Sequence, residues 1–503
     1  MTLLLSLLGA ITVLELTIWM PGLWQIRKFI ACAAILGLSV VSGLLFGQHF
    51  QFWAGILLIL SAYRIVNLLR ILEDRLQPKQ LVEVTRRTSV WLITSQIVVF
   101  LITILSNKLA ITSNTWLYVI VLLQLAAALV LFLSAVRHLR TTQSQVPSQV
   151  PAQNLPTLSV LVPARNETSD LEACLSSLIS SDYPKLEIIV LDDCSQNKRT
   201  PGIIKDFAQS GVRFIAGKTP SKAWLAKNYA YEQLTEEANG ELLLFCGVDT
   251  RFSPHSLRAI VETMLAKDKQ MISLIPKNTR PGMNLEAVFI QPARYAWELA
   301  IPRRWRGRTP VLSTCWIISA AQLQAAGSFS AVSNSVSPEA YFARYSAHHG
   351  DNYSFLQSND AIGLTSDKPL SEQRATAVRT RYPQLHRRPE LVALTLLTEV
   401  GTLTLPFAAL ALSIIRGAWP AVVISAVTCI LLTILYASIV RLTYREFLWR
   451  GVWTVPFAPL YDISLLNYSM WQYEFREVIW KGRNVCIPVM QSTPVLPRQT
   501  VSN

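Results

Sequence analysis

Charge is scarce in this chain. Asp, Glu, Lys and Arg make up 16% of its 503 residues, against about a quarter in ordinary globular domains. With hydrophobic residues at 51%, that shortfall excludes a wholly soluble protein and points to a membrane protein carrying a soluble insert. Acidic residues are the scarcer kind: 32 Asp and Glu stand against 46 Lys and Arg, a formal charge of +14. No nucleic-acid-binding motif accompanies the excess. It reads instead as basic loops beside anionic lipid. The seven cysteines (Cys32, Cys174, Cys194, Cys246, Cys315, Cys429 and Cys486) are scattered, with no CxxC and no metal-ligand spacing. They are expected as small buried apolar residues in a reducing compartment. The first twenty residues lack a basic leader and a cleavage site, which predicts a retained helix rather than a signal peptide.

Long apolar runs are what the chain has instead. Five lie at residues 3–23, 29–46, 52–72, 90–105 and 116–136, each near the ~20 residues that cross a hydrocarbon layer as a helix. Two more follow at 391–415 and 418–440. Basic residues cluster after the first (Arg27, Lys28), between the third and fourth (Arg70, Arg75, Lys79, Arg86, Arg87) and after the fifth (Arg137, Arg140). Alternation places those loops, and the insert after the fifth run, in the cytoplasm. The expected organisation is a transmembrane region over 1–140, a Pro/Gln/Ser linker over 141–156 and a soluble domain over 157–389. Two helices over 390–440 and an interfacial or re-entrant segment with a cytoplasmic tail over 441–503 complete it.

The soluble domain is organised around residues 158–249. Two short β-branched apolar runs, 158–162 and 186–191, read as buried strands. The first ends in Pro163-Ala164-Arg165-Asn166-Glu167 and the second in Asp192-Asp193. Polar groups at the carboxyl ends of adjacent parallel strands are where open α/β sheets bind ligands.

VPARNE, LDDCS, the Lys227-Asn228 pair after Trp224, and the acidic tip GVDT resemble family 2 glycosyltransferases. The subgroup it is most similar to glycosylates lipids such as ceramide, hopanoids or carotenoids at a membrane. The resemblance spans roughly residues 158–382, with a weaker match at the WKGR of 480–483. It implies an α/β GT-A, Rossmann-like cytoplasmic domain inserted between transmembrane helices. The implied reaction is inverting transfer of a sugar from a UDP- or GDP-activated donor to a lipid hydroxyl.

The resemblance also assigns residues. Pro163, Arg165, Glu167, Asp192, Asp193, Lys227, Asn228 and Asp249 are the implied donor and nucleotide ligands. The family carries Asp-x-Asp where this chain has Gly247-Val248-Asp249, so a divalent metal (Mg²⁺ or Mn²⁺) would rest on Asp249 alone. Arg251 is a candidate for the missing positive charge. Glu339, in Pro338-Glu339 where the family has Glu-Asp, is the candidate base. Arg381 and Tyr382 match a segment beside the acceptor and leaving diphosphate. Implied partners are a nucleotide sugar, a lipid acceptor and the bilayer, in the plasma membrane, with no nucleic acid. The N-terminal helices are candidates to bind acceptor or a partner subunit. Because the motifs depart from the family, a degenerate transferase that binds without turnover is the alternative. A processive polysaccharide synthase is a third reading.

Overall fold

The computed structural model describes residues 2–20, 23, 25–46, 52–73, 79–109, 112–143, 150–221, 223–278, 294–295, 299–301, 309–445 and 448–486. Two compact units result. One comprises Met1–Ala126, Leu385–Thr428 and Ile463–Glu477; the other comprises Ala127–Gln384, Cys429–Asp462 and Val478–Asn503.

The chain begins with helices α1 (Thr2–Thr17), α2 (Arg27–Phe46), α3 (Phe52–Leu72), α4 (Lys79–Lys108) and α5 (Ser113–Thr141). Among the described residues, six helices are long and apolar enough to cross a membrane. They are Arg27–Leu45, Trp53–Leu72, Val82–Lys108, Ser113–Thr141, Pro389–Ile415 and Trp419–Thr443. The expected first span, 3–23, is a shorter helix of 16 residues, because Pro21-Gly22 follows in the sequence and breaks helical pattern. The buried charge in α3 has a partner: Arg64 Nε donates to Glu15 Oε2 at 2.9 Å, and the guanidinium also reaches Gln96. Pairing of this kind is how an ionisable residue is tolerated inside an apolar helix bundle.

The soluble domain is a mixed seven-stranded sheet in the order β3-β2-β1-β4-β8-β6-β9. Its strands are β1 (Leu158–Ala164), β2 (Leu186–Asp192), β3 (Val212–Ala216), β4 (Leu242–Cys246), β6 (Met271–Ile275), β8 (Cys315–Ser319) and β9 (Tyr353–Gln357). The half β3-β2-β1-β4 is parallel, so its carboxyl ends share one edge. Strand β8 is antiparallel to both neighbours. Both faces are covered, and alternation splits the strands between two cores. Val160 and Val162 pack with Leu171, Leu175 and Leu178 of α6 (Ser169–Ile179) on one side. Leu161 packs with Tyr231 and Leu234 of α8 (Ala226–Glu237) on the other. There Phe245 stacks on Trp316 with centroids 4.2 Å apart. In chain order α7 (Arg199–Asp206) falls between these two helices, and α9 (Ser256–Ala266) packs Leu257, Ile260 and Met264 into the first core.

A second sheet, β5-β10-β7, is built of short strands: β5 (Thr250–Phe252), β7 (Lys277–Asn278) and β10 (Leu364–Ser366). The domain's later helices are α10 (Ala320–Ala325), α11 (Pro338–His348) and α12 (Leu370–Gln384). After α13 (Pro389–Glu399) the helix widens to π geometry over Val400–Thr404 before α14 (Leu405–Ile415). Pro406 explains the widening, since its ring excludes the regular bond to residue 402. Then come α15 (Trp419–Thr443), α16 (Leu448–Trp453) and α17 (Ala458–Phe475). The part of 441–503 expected as interfacial or re-entrant is mostly helical over 452–468, with Trp449, Trp453 and Phe457 exposed at spacings of four. The last described element is a hairpin, β11 (Ile479–Trp480) and β12 (Arg483–Asn484). Its two-residue turn has positive φ at Lys481 (47°) and Gly482 (76°), the primed turn geometry that suits right-handed strand twist and that glycine accommodates.

Candidate functional site

The carboxyl ends of β1, β2 and β4 open into a cavity of about 300 Å³. Its lining includes Pro163, Arg165, Glu167, Asp193, Lys227 and Asp249 from the sequence-predicted set. Two tip loops are locked to each other. Asn166, at φ 53°, accepts from the backbone N–H groups of Gln196 and Asn197 at 2.8 and 3.2 Å. Its own N–H donates to Ser195 Oγ at 2.9 Å. The twin aspartates divide their work. Asp192 accepts from the Ser195 N–H at 3.2 Å, closing its own turn, while Asp193 faces the cavity.

The C-terminal hairpin forms one wall. Arg483 grips Asp193 with a fork of 2.8 and 2.7 Å. Lys481 pairs with Glu167, and Arg165 Nε donates to the Lys481 carbonyl at 2.9 Å. Burial pushes the Asp193 carboxyl up, and the Arg483 guanidinium opposes it. Burial lowers Lys481 to about 8, aided by nearby Arg165. Trp480 of this hairpin lines the cavity and lies under the Arg379 guanidinium, 4.3 Å from ring centroid to Cζ.

The Lys227-Asn228 pair splits at the start of α8. Lys227 lines the cavity and its ammonium lies 5.3 Å from the Tyr231 ring centroid. Burial lowers Lys227 to about 8, with Glu339 the largest opposing influence. Asn228 is buried and points away, donating to the carbonyls of Val332, Ser333 and Ser335 at 2.8, 3.1 and 2.8 Å. It pins the loop that leads into α11. Glu339 sits in the first turn of that helix after Pro338. It is 3% exposed and does not line the cavity, and its Oε2 has no hydrogen-bond partner among the described residues.

At the tip of β4 the acidic set is thin. Gly247 and Asp249 both line the cavity, and a Cβ at position 247 would meet Asp249 Oδ1, the end of a flexible side chain that can turn aside. Asp249 is the single carboxylate of the Gly247-Val248-Asp249 tip. Among the described residues, no three His, Cys, Asp or Glu side chains come together as a metal-binding group. These residues do not fit a divalent ion held by paired carboxylates. Arg251 is committed elsewhere: it meets Asp170 at 3.3 Å and Asp367 at 3.4 Å and donates to the Val248 carbonyl at 2.6 Å.

Helix α12 supplies residues that the motif comparison passed over. Glu372, Thr376 and Arg379 line the cavity, as their i, i+4, i+7 spacing on one face allows. Arg381 lies about 200° further round the helix from Arg379. It pairs with Asp462, and Tyr382 is fully buried. Lys368, just before this helix, also lines the cavity. The Arg379 signal was present in Val378-Arg379-Thr380-Arg381-Tyr382, but only the helix face decides between two arginines.

Comparison with known proteins agrees with this construction. Residues 159–317 match the model of glycosyl transferase family 2. The mixed sheet and its cavity form a GT-A-like domain. A probable glycosyltransferase of Bacillus subtilis (strain 168), YdaM, is 28% identical over 180 residues, 34% of this chain and 42% of the relative. The 4,4'-diaponeurosporenoate glycosyltransferase of Staphylococcus haemolyticus is 29% identical over 136 residues, 26% of this chain and 36% of the relative. The chain thus spans less than half the length of these curated relatives. Among solved structures, the mannosyltransferase PcManGT from Pyrobaculum calidifontis, in complex with GDP-Man and Mn²⁺, superposes with a TM-score of 0.45 at 17% identity. That superposition covers 71% of this chain and 99% of the other.

Proposed function

We propose that the chain is a membrane-embedded, inverting glycosyltransferase that moves one sugar from a UDP- or GDP-linked donor to a lipid hydroxyl on the cytoplasmic face of the plasma membrane. The observation that carries this reading is the cavity at the carboxyl ends of β1, β2 and β4. There Arg165, Glu167, Asp193, Lys227 and Asp249, drawn from four separated motifs, line one space. The family match supports a sugar donor, the six long apolar helices support a lipid acceptor, and the basic loops support the cytoplasmic side. Asp193 and Glu167 would take the base and ribose, displacing or sharing the Arg483 and Lys481 pairs. Lys227 would face the diphosphate.

In the transfer step, the acceptor oxygen bonds to the anomeric carbon as the bond from that carbon to the diphosphate oxygen breaks. The electron pair leaves with the diphosphate, and the acceptor proton passes to Glu339. The open lone pair at Glu339 Oε2 favours that role. Attack opposite the leaving group gives inversion.

The test is incubation of the purified chain, in detergent with membrane lipid, with a panel of nucleotide sugars, followed by mass spectrometry of the lipids. A lipid heavier by one sugar, formed by wild type and lost in Glu339→Gln, is expected. Transfer that persists in Glu339→Gln would remove Glu339 from the base role.

A second reading, a degenerate domain that binds donor without turnover, is favoured by the burial of Glu339 away from the cavity. Nucleotide binding with no glycolipid product under any donor would establish it.

A further inference from the structure

The short second sheet fixes an unassigned lysine beside Asp249. Strand β10 runs antiparallel to β5, with Ser366 opposite Thr250. One step further, the Asp367 N–H donates to the Asp249 carbonyl at 2.8 Å, so Lys368 emerges beside the tip of β4 and lines the cavity. Gln373 secures its backbone, donating from Nε2 to the Lys368 carbonyl at 3.1 Å. Lys227 lines the same cavity from α8, and Arg379 from α12. Neither lysine ammonium lies in ion-pair contact with a carboxylate of the described residues. Asp249 and Glu372 act on Lys368 only from a distance. Half-buried ammonium groups without an ion-pair partner are costly in a folded protein. Two of them sharing one cavity with the Arg379 guanidinium make a site for a polyanion. The same place lacks the second carboxylate of the family's Asp-x-Asp pair, because Gly247 stands there.

We propose that Lys368, with Lys227 and Arg379, holds the donor's diphosphate by direct charge-assisted hydrogen bonds, so that donor binding needs no divalent metal. This rests on reading the cavity as a nucleotide-sugar site. Ammonium and guanidinium groups donate strongly to phosphate oxygens and keep their charge when desolvated by it. As the bond from the anomeric carbon to the diphosphate oxygen breaks, the charge that collects on that oxygen meets these donors. Lys368 belongs to the leaving-group end of the reaction, and Glu339 to the acceptor end.

The experiment is calorimetric titration of the full chain in lipid nanodiscs with UDP, GDP, their nucleosides and inorganic pyrophosphate, in EDTA and in Mn²⁺. Wild type is expected to bind pyrophosphate and one nucleoside diphosphate in EDTA within about threefold of its affinity in Mn²⁺, and Lys368→Gln to weaken both by at least about tenfold. Lys368→Arg should keep most of the affinity, and nucleoside binding should not move in either variant. Should Lys368→Gln fail to fold, as judged by its thermal transition, Lys227→Gln is read in the same way. Diphosphate binding that requires Mn²⁺, or that Lys368→Gln leaves unchanged, overturns this inference and leaves the donor site standing. A chain that binds neither nucleotide nor pyrophosphate, with or without Mn²⁺, overturns both.

Discussion

The two ends of one cavity handle their charges in opposite ways. At the hairpin end, each carboxylate is in contact with a cation: Asp193 with Arg483, Glu167 with Lys481. At the β4 end, Lys227 and Lys368 line the space beside Asp249 without such contacts. The lining charges are similar in kind, so the difference lies in pairing. A paired end is pre-shaped and selects by hydrogen-bond geometry; an unpaired end waits for an anion. A nucleoside diphosphate has one part suited to each.

Removing both open cations gives the largest expected effect on that contrast. Lys227→Gln with Lys368→Gln should weaken nucleoside diphosphate binding by more than about a hundredfold, since each charged hydrogen bond contributes about 1.5–3 kcal/mol. Calorimetry on the double variant checks this, and a loss below tenfold would break the contrast. Next comes the paired end. A double-mutant cycle with Asp193→Asn and Arg483→Gln should show coupling of about 1–3 kcal/mol in chemical denaturation, because the pair is only partly buried. Coupling near zero would mean the hairpin wall is not held by this pair.

A smaller change converts one end toward the other. Gly247→Asp should displace the Asp249 carboxylate and supply the missing acid. Binding in EDTA should then fall by about tenfold, with recovery on adding Mn²⁺. Unchanged binding in EDTA would show that the β4 tip does not face the diphosphate.

The smallest effect is on pH. Lys227 is lowered to about 8, from an ordinary lysine value near 10.5, chiefly by burial. It is charged below pH 8 and loses its proton as pH rises through that value. A bound diphosphate favours the charged form, so binding should take up protons near pH 8 and affinity should fall by several-fold between pH 7 and 9. The sign is opposite for stability. Between pH 8 and 10.5 the unfolded chain holds a proton that the folded one lacks, so the cost of burying Lys227 is full below pH 8 and relieved as pH rises. Titrations in buffers of different ionisation enthalpy would read the proton uptake.

The part of the candidate site at the tips of β1 and β2 was legible because each piece is contiguous. The predicted strands at 158–162 and 186–191 appear as Leu158–Ala164 and Leu186–Asp192, with their polar tips in place. Buried parallel strands are written as unbroken apolar runs, and their ends show where polarity returns. The other half is assembled from distant pieces. Lys368 follows a three-residue strand within a stretch that reads as loop, and so short a strand has no periodicity to detect. Arg379 and Arg381 are equivalent in sequence and separated only by the helix face that meets the cavity. The WKGR segment matched weakly, yet its hairpin closes on motifs some three hundred residues earlier in the chain. Asn228, matched as a donor ligand, instead holds three carbonyls of the loop before Glu339. A side chain at a helix start can face ligand or loop, and spacing alone does not choose.

A cavity that grips a nucleoside diphosphate through a paired end and an open cationic end must distinguish it from the matching nucleoside. Calorimetry on the wild-type chain in nanodiscs, comparing UDP or GDP with uridine or guanosine, should show affinities at least about a hundredfold higher for the diphosphate; equal affinities would exclude such a grip.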